Sequence, residues 1–440
     1  MDPLTFLLEN YYARLNDELL IAGISASALA RQYGTPLFIY DAGIIAKKWA
    51  LVREALPPRF SVYYSMKANP NRTILRFFLS RGAGVEISSA GEFCQAISAG
   101  CGAEKILFAG PGKTEAELEL VLARDIGEIH VESLREAERI ATIAGRLGIR
   151  ARVGLRVNPS GDGEGGAMRM GGGPAPFGVD EEILDDVLGR ILALPALDFR
   201  GIHFYEGTQI LDFRILAAQF AKGIEIARRV AARLKKPLDT LDLGGGFGIP
   251  YFAHEQPLNT RSLREALDAL TKTVENDPLF SGTHFLTEPG RYLVGEAGVY
   301  IARVTDVKVS RGKKFLVLDG GMNHHLAASG NLGQTIKRNY PLALVNKLGQ
   351  PAEETVDVVG PLCTPLDVLG RGVNLPRAEA GDLAGVFQSG AYARSASPLG
   401  FLSHPSPPEV WVEGGAHRLI RRRGNSEDYL RDQCFDAGAG

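Results

Sequence analysis

The amino-acid sequence predicts an α/β protein built on a (β/α)8 TIM-type barrel, followed by an all-β domain that also takes in an N-terminal strand. Three observations predict it. Short runs rich in β-branched and aromatic residues recur eight times between residues 61 and 290. The stretches between them carry apolar residues at helical spacing. From about residue 297 the pattern changes to strand-like runs linked by Gly and Pro turns, with little helix.

In chain order, TPLFIYD (35–41) precedes the first barrel strand and is the N-terminal strand assigned to the β domain. The barrel runs are SVYYSM (61–66), GVEISS (84–89), KILFAG (105–110), EIHVES (128–133), ARVGLRVN (151–158), FRGIHFYEG (199–207), DTLDLGGG (239–246) and THFLTEPG (283–290). Near-continuous apolar strands of this kind suit a parallel sheet covered on both faces. Between them, ELELVLARD (117–125) follows Thr114, residues 133–148 begin at the N-cap candidate Ser133, and residues 213–234 form a long amphipathic stretch. Eight strand–helix repeats favour a closed barrel over an open doubly wound sheet. The Gly-rich insertion at 159–178 has no regular pattern and reads as a mobile loop after the fifth strand, on the face where barrel active sites sit. The expected domains are 46–296 for the barrel, and 1–45 with 297–440 for the β domain.

Length agrees with two domains, because 440 residues exceed the ~250–300 at which single cores stop growing. Apolar residues at 45% and charged residues at 23% exclude a disordered or fibrous chain. With 49 basic and 51 acidic residues there is no electrostatic footprint for nucleic acid or an anionic membrane. Cys94, Cys101, Cys363 and Cys434 are too scattered for a disulfide framework or a CxxC metal site. The start of the chain carries Asp2 and Glu9 and no basic segment, and no apolar run approaches ~18–20 residues. A soluble, cytoplasmic protein is the expectation.

Four segments bear on chemistry. YYSMKANP (63–70) sets Lys67 at the end of the first barrel strand, facing the C-terminal mouth. Desolvation there would lower a lysine toward neutrality and make it a Schiff-base former, as with pyridoxal phosphate. DLGGGFG (242–248) lets backbone N–H groups approach an anion; as a dinucleotide fingerprint it fails, because Ile249 stands where a third glycine is needed. EPGR (288–291) ends the eighth strand, where Gly290 and Arg291 can add phosphate donors and Glu288 can pair with a protonated pyridine nitrogen. GPGKT (110–114) is not a P-loop, since Leu107 replaces the required glycine. The adjacent His324 and His325 point apart on a strand, which argues for lining a pocket and against a metal site; no metal is expected.

The ordered set YYSMKANP, VEISSAGE, LRVNP, GTQ, DLGGGFG, EPGR, GPLC and GAY closely resembles the fold-type III pyridoxal phosphate-dependent amino-acid decarboxylases, the diaminopimelate/ornithine decarboxylase family. The resemblance spans nearly the whole chain. It implies a carboxy-lyase with bound pyridoxal 5'-phosphate, acting as a homodimer whose active sites are shared between subunits. Carried over, Lys67 would hold the cofactor as a Schiff base, and Gly244, Gly245, Gly246, Gly290 and Arg291 would bind its phosphate with Thr208 and Tyr392. Glu288 would contact the pyridine nitrogen, Tyr205 would cover the ring, and Glu86 and Arg156 would lie on its Lys67 side. Cys363 would donate the proton to Cα from the partner subunit, with Asp367 nearby.

The departures bear on substrate. Where the family reads HIGSQ this chain reads YEGTQ, and C-E-S-G-D becomes CTPLD (363–367), which replaces an acidic residue by Thr364. The R-P-x-L-Y segment becomes HHLAASGNLG (324–333), and S-N-Y-N becomes SPLGFLSHP (397–405). These segments hold the distal centre of diaminopimelate, so His324, His325, Thr364 and Asp367 are the substrate-contact candidates for a different molecule. The same segments resemble the subgroup of glutamyl-carrier-protein and exosortase-associated decarboxylases, which implies an amino acid tethered to a carrier protein or otherwise extended. The competing readings are a meso-diaminopimelate decarboxylase and a non-catalytic regulator of the same fold; alanine racemases share the barrel but lack the GPLC cysteine.

Overall fold

A computed structural model of the chain describes residues 2–161, 168–169, 173–332, 334 and 337–434. Much of the Gly-rich insertion after the fifth strand lies outside the described residues, as do the last residue of HHLAASGNLG and the end of the chain. The chain forms two compact units, one of residues 49–249 and 256–293, the other of residues 1–48, 250–255 and 294–440.

The first unit is the barrel. Among its described residues, eight parallel strands pair in chain order: β1 (Phe60–Ser65), β2 (Gly84–Ile87), β3 (Ile106–Phe108), β4 (Glu128–Val131), β5 (Ala151–Asn158), β6 (Leu197–Phe204), β7 (Thr240–Asp242) and β8 (His284–Thr287). Closure comes from β8 on β1, with Phe285 opposite Phe60 and Thr287 opposite Val62. The ring is therefore closed, as the sequence predicts, and has no edge in need of protection.

Helix starts follow local chemistry. Thr114 and Glu117 form a capping box at the head of Glu115–Leu122, and Ser133 caps Leu134–Leu147 by accepting from the Glu136 N–H. Gly148 closes that helix in the left-handed conformation at φ +69°. The 22-residue helix Phe213–Leu234 starts at Asp212, as its amphipathic pattern predicts.

The second unit is a mixed sheet organised by the long strand Gly298–Ser310. It pairs antiparallel with Lys313–Leu318, with Leu383–Val386 and with the N-terminal strand Leu37–Asp41. Leu37–Asp41 also pairs in parallel with Glu409–Glu413, so the early strand does belong to the C-terminal sheet. Among the described residues no helix is long and apolar enough to cross a membrane.

Glycines mark the tightest strand contacts in the barrel. A Cβ on Gly201 of β6 would sit 1.8 Å from the Thr240 carbonyl oxygen of β7. Gly145, in contrast, lies in a helix with nothing within 4 Å of its would-be Cβ. Gly201→Ala is expected to destabilise the protein by about 1–3 kcal/mol, as overpacking does. Gly145→Ala should stabilise it by roughly 0.5–1 kcal/mol. Urea midpoints at constant m-value measure both.

Candidate active site

At the C-terminal end of β1 the chain turns through the short helix Met66–Ala68, which carries Lys67 into a cavity of about 330 Å³. Glu86, Arg156, His203, Tyr205 and Glu288 line the same cavity. Lys67 Nζ donates to Glu86 Oε1 at 3.0 Å, and its side chain is 44% exposed while that of Glu86 is 1% exposed. Desolvation of Lys67, expected from the sequence, is only partial: its side chain is half-exposed and ion-paired. Ser65 donates to Glu86 Oε2 at 2.6 Å, and Ser88 to Oε1 at 3.4 Å. Burial works against a charged Glu86, yet the Lys67 ammonium and the bonds from Ser65 and Lys67 outweigh it and hold the carboxyl below its ordinary range.

The cavity floor behaves in the opposite way. Glu288 is pushed well above the usual carboxylate range, first by burial and then by the charges of Asp242 and Glu86. Its Oε1 has no hydrogen-bond partner. His203 Nε2 lies 3.6 Å from Glu288 Oε2, and burial drives that imidazole well below its ordinary value, so it is neutral. Behind them, His130 packs its ring 4.4 Å from His203. One ligand-type atom each from His130, His203, Asp242 and Glu288 lies within 4.8 Å of the others, all in buried residues.

The glycine loop forms a cradle. Gly244 and Gly246 adopt φ of +64° and +90°, which side chains rarely tolerate. A Cβ on Gly245 would meet the Glu288 carbonyl oxygen at 2.4 Å, and one on Gly290 would meet the Ser65 carbonyl oxygen at 3.0 Å. The Gly244 N–H donates to Asp242 Oδ1 at 2.8 Å, and the Thr287 hydroxyl donates to the Gly244 carbonyl at 2.6 Å. The Ile210 N–H donates to the Gly246 carbonyl at 2.8 Å, which draws the Gly207–Thr208 strand beside this loop. Tyr205 packs against Gly244, 2.6 Å from where a Cβ would stand.

On the cavity wall, Glu132 accepts from Arg156 Nη1 at 2.9 Å and from the Gly110 and Gly178 N–H groups at 2.7 and 3.0 Å. Lys113 of GPGKT spends its donors at 2.7 Å each on the Gly110 carbonyl, the His130 carbonyl and Glu136 Oε1. That is a loop anchor, in keeping with the rejection of a P-loop.

The remaining candidates lie in the β unit. Cys363 is exposed. Asp367 is 2% exposed, and its oxygens accept from the Met322 and Leu362 N–H groups at 2.6 and 2.9 Å. His324 and His325 are 1% and 0% exposed, and burial lowers both to about 3. His325 accepts the Ala328 N–H on Nδ1 and bonds Ser389 Oγ through Nε2 at 2.9 Å. Tyr392 holds a left-handed φ of 56°. Sequence reasoning did not single out His130, His203, Asp242 or Glu132. Their signal is period-two polarity inside apolar strands: Glu128, His130 and Glu132 alternate with Ile129 and Val131.

These residues fit a pyridoxal phosphate group. They offer an amine, a buried carboxyl with an unpartnered oxygen, and a glycine cradle that any Cβ would fill. Comparison with known proteins agrees. The profile of the pyridoxal-dependent decarboxylases, pyridoxal binding domain, matches residues 42–295. The L-glutamyl-[BtrI acyl-carrier protein] decarboxylase of Niallia circulans is 38% identical over 410 residues, covering 92% of this chain and 95% of that protein. The diaminopimelate decarboxylase of Aquifex aeolicus is 32% identical over 436 residues, covering 98% and 99%. The crystal structure of diaminopimelate decarboxylase from M. jannaschii with L-lysine superposes with a TM-score of 0.87 at 25% identity, covering 97% and 98%.

Burial pushes Asp242 from 3.8 up to about 7, with Glu128 and Glu86 adding to it and bonds from Glu288 and Gly244 opposing. An acid raised on folding favours the folded state while protonated, so this contribution is complete below its unfolded value and lost as pH climbs toward about 7. Asp242→Asn, which keeps an acceptor for Gly244, should therefore gain stability relative to the parent across that window and level off above it. Urea unfolding of the coenzyme-free proteins over a pH series checks this.

Proposed function

We propose that this chain, which belongs to the pyridoxal-dependent decarboxylases, removes the α-carboxylate of a glutamyl group or a similarly extended amino acid carried on an acyl-carrier protein. The enzyme is a carboxy-lyase and its cofactor is pyridoxal phosphate. The observation that carries the catalytic reading is the meeting in one cavity of a half-exposed Lys67, ion-paired with Glu86, and a buried Glu288 whose carboxyl is pushed well above its ordinary range.

When bound, the cofactor supplies an electron sink for the pair left behind by CO₂. The chain's own residues do the rest. Lys67 provides the amine that tethers the cofactor, and Glu86 holds that amine at the cavity edge. Glu288 offers a carboxyl to the ring nitrogen. The glycines 244–246 and Gly290, with Arg291 and Thr208, would hold the phosphate. Tyr205 covers the ring, and Arg156 is held by Glu132 for the Lys67 side. Cys363 donates the proton that replaces CO₂ at Cα, contributed by a second copy of the chain in a homodimer; a thiol of reference pKa ~8.5 suits that role near neutrality.

Support for a tethered substrate comes from the carrier-protein relative and from Thr364, which stands where diaminopimelate enzymes carry an acid. meso-Diaminopimelate is the second reading, favoured by the structural likeness to the lysine-bound enzyme.

Lys67→Ala should remove the visible absorbance of the coenzyme-loaded protein. Cys363→Ala should keep that absorbance and lower kcat by about 10²–10⁴, the span of a lost general acid. CO₂ release measured with glutamyl-carrier thioester beside free diaminopimelate, lysine and ornithine tests the substrate. Turnover of the thioester is expected; turnover of free diaminopimelate alone would overturn the proposal.

A further inference from the structure

We propose that Glu128, His130, Asp242 and Glu288 form a proton relay along the barrel axis, joining the floor of the active-site cavity to a second cavity at the opposite face. It rests on the reading of Glu288 as the partner of the ring nitrogen. Barrel interiors are ordinarily filled by layers of branched apolar side chains. Here Glu128, His130, Asp242 and Glu288 are ionisable and buried instead, which is costly unless such groups are paired.

The groups lie in succession at near-contact distances rather than as a formed hydrogen-bond chain. His130 Nε2 stands 3.5 Å from Glu128 Oε1 and 3.9 Å from Asp242 Oδ2, so one nitrogen faces both carboxyl groups. Neither His130 nitrogen has a hydrogen-bond partner, nor does Asp242 Oδ2 or Glu288 Oε1. All four residues are buried, with exposures of 3% for Glu128, 0% for His130, 1% for Asp242 and 7% for Glu288. Room is made on purpose: a Cβ on Gly154 of β5 would lie 2.2 Å from Glu128 Oε1 and 3.2 Å from His130 Cδ2.

The lower end opens on water. Glu128, the first residue of β4, lines a cavity of about 350 Å³ with Tyr63, Arg152, Arg200, Thr240 and His284. Thr240 donates to Glu128 Oε2 at 2.9 Å. At the upper end, anything that fills the active-site cavity covers Glu288 from the mouth, which leaves the floor as its route to solvent.

The transfer balances as one proton and no electrons. Once Glu288 has given up its proton, one enters from cavity water onto Glu128, passes from Oε1 to His130 Nε2, goes from Nε2 to Asp242 Oδ2 and refills the Glu288 carboxylate, which leaves each group as it began. The titratable and charged groups facing this line from neighbouring elements are Tyr63 on β1, Lys67 after it, Glu86 on β2, His203 on β6, and Lys113 and Arg156. His203, its ring tilted by 32° against that of His130, is a neighbour rather than a member.

Two measurements test the relay in Glu128→Gln, His130→Asn and the milder Thr240→Val. In coenzyme-free protein with ¹⁵N-labelled histidine, exchange of the His130 imidazole N–H with water is expected to slow several-fold in Glu128→Gln and less in Thr240→Val. In protein loaded with pyridoxal phosphate, the visible absorbance after a pH jump should relax several-fold more slowly in Glu128→Gln and His130→Asn. Unchanged exchange and relaxation in folded variants would overturn the proposal, as would a stoichiometric divalent metal held by His130, His203, Asp242 and Glu288. Should no variant or parent load the coenzyme, the reading of Glu288 fails while the exchange measurement still decides the relay.

Discussion

The barrel interior must hold several carboxyl groups, and the site is organised around the ammonium of Lys67 that pairs with one of them at the mouth. Glu86, Asp242, Glu288 and Glu128 are all nearly inaccessible to water. Two unit charges 4 Å apart interact by about 4 kcal/mol at an effective dielectric of 20, so all four cannot ionise together. Lys67 settles the allocation. It sits 3.0 Å from Glu86 and makes that carboxyl the ionised one. Glu288, deeper and facing Asp242, is pushed well above the usual carboxylate range. One short ion pair thereby sets apart chemically identical groups, with the carboxyl at the wall lowered and the one at the floor raised.

Backbone economy makes this arrangement possible. Carboxyl groups inside a closed ring need space that Val or Ile would otherwise fill, and glycine supplies it at chosen points. Gly154 yields its side-chain position to Glu128, Gly245 lets β7 approach the end of β8, and Gly290 lets that end lie against Ser65. Each concession costs backbone entropy, offset by the closed ladder from β1 to β8.

Much of this was legible in the sequence, for physical reasons. Lys67, the 244–246 glycines and EPGR stand at the ends of apolar runs, where a parallel barrel gathers its functional groups, so chain position alone brings them to one mouth. The caps at Thr114 and Ser133 are local bonds spanning three residues. His130 and Asp242 were not legible, because their meeting depends on strand register across the ring, which a linear pattern does not contain. Lys67 looked like an amine to be desolvated; its pairing with Glu86 is likewise a cross-strand fact. The burial of His324 and His325 depended on the packing of Tyr300, Ser389 and Tyr340 around them.

One buried acid organises the loops around Cys363 in the β unit. Asp367 fastens two segments together, accepting the Leu362 N–H from its own loop and the Met322 N–H from the segment after the strand Lys313–Leu318. Gly321 and Gly360 close so tightly around it that a Cβ on either would fall within 2.3 Å of its oxygens. With those oxygens engaged by the backbone, Asp367 is poorly placed to receive a distal ammonium. The loop so fixed turns Cys363 outward and leaves Leu366 57% exposed, with Thr364 between them. Asp367 thus serves as a strut that fixes Cys363 and Thr364 in place on their loop.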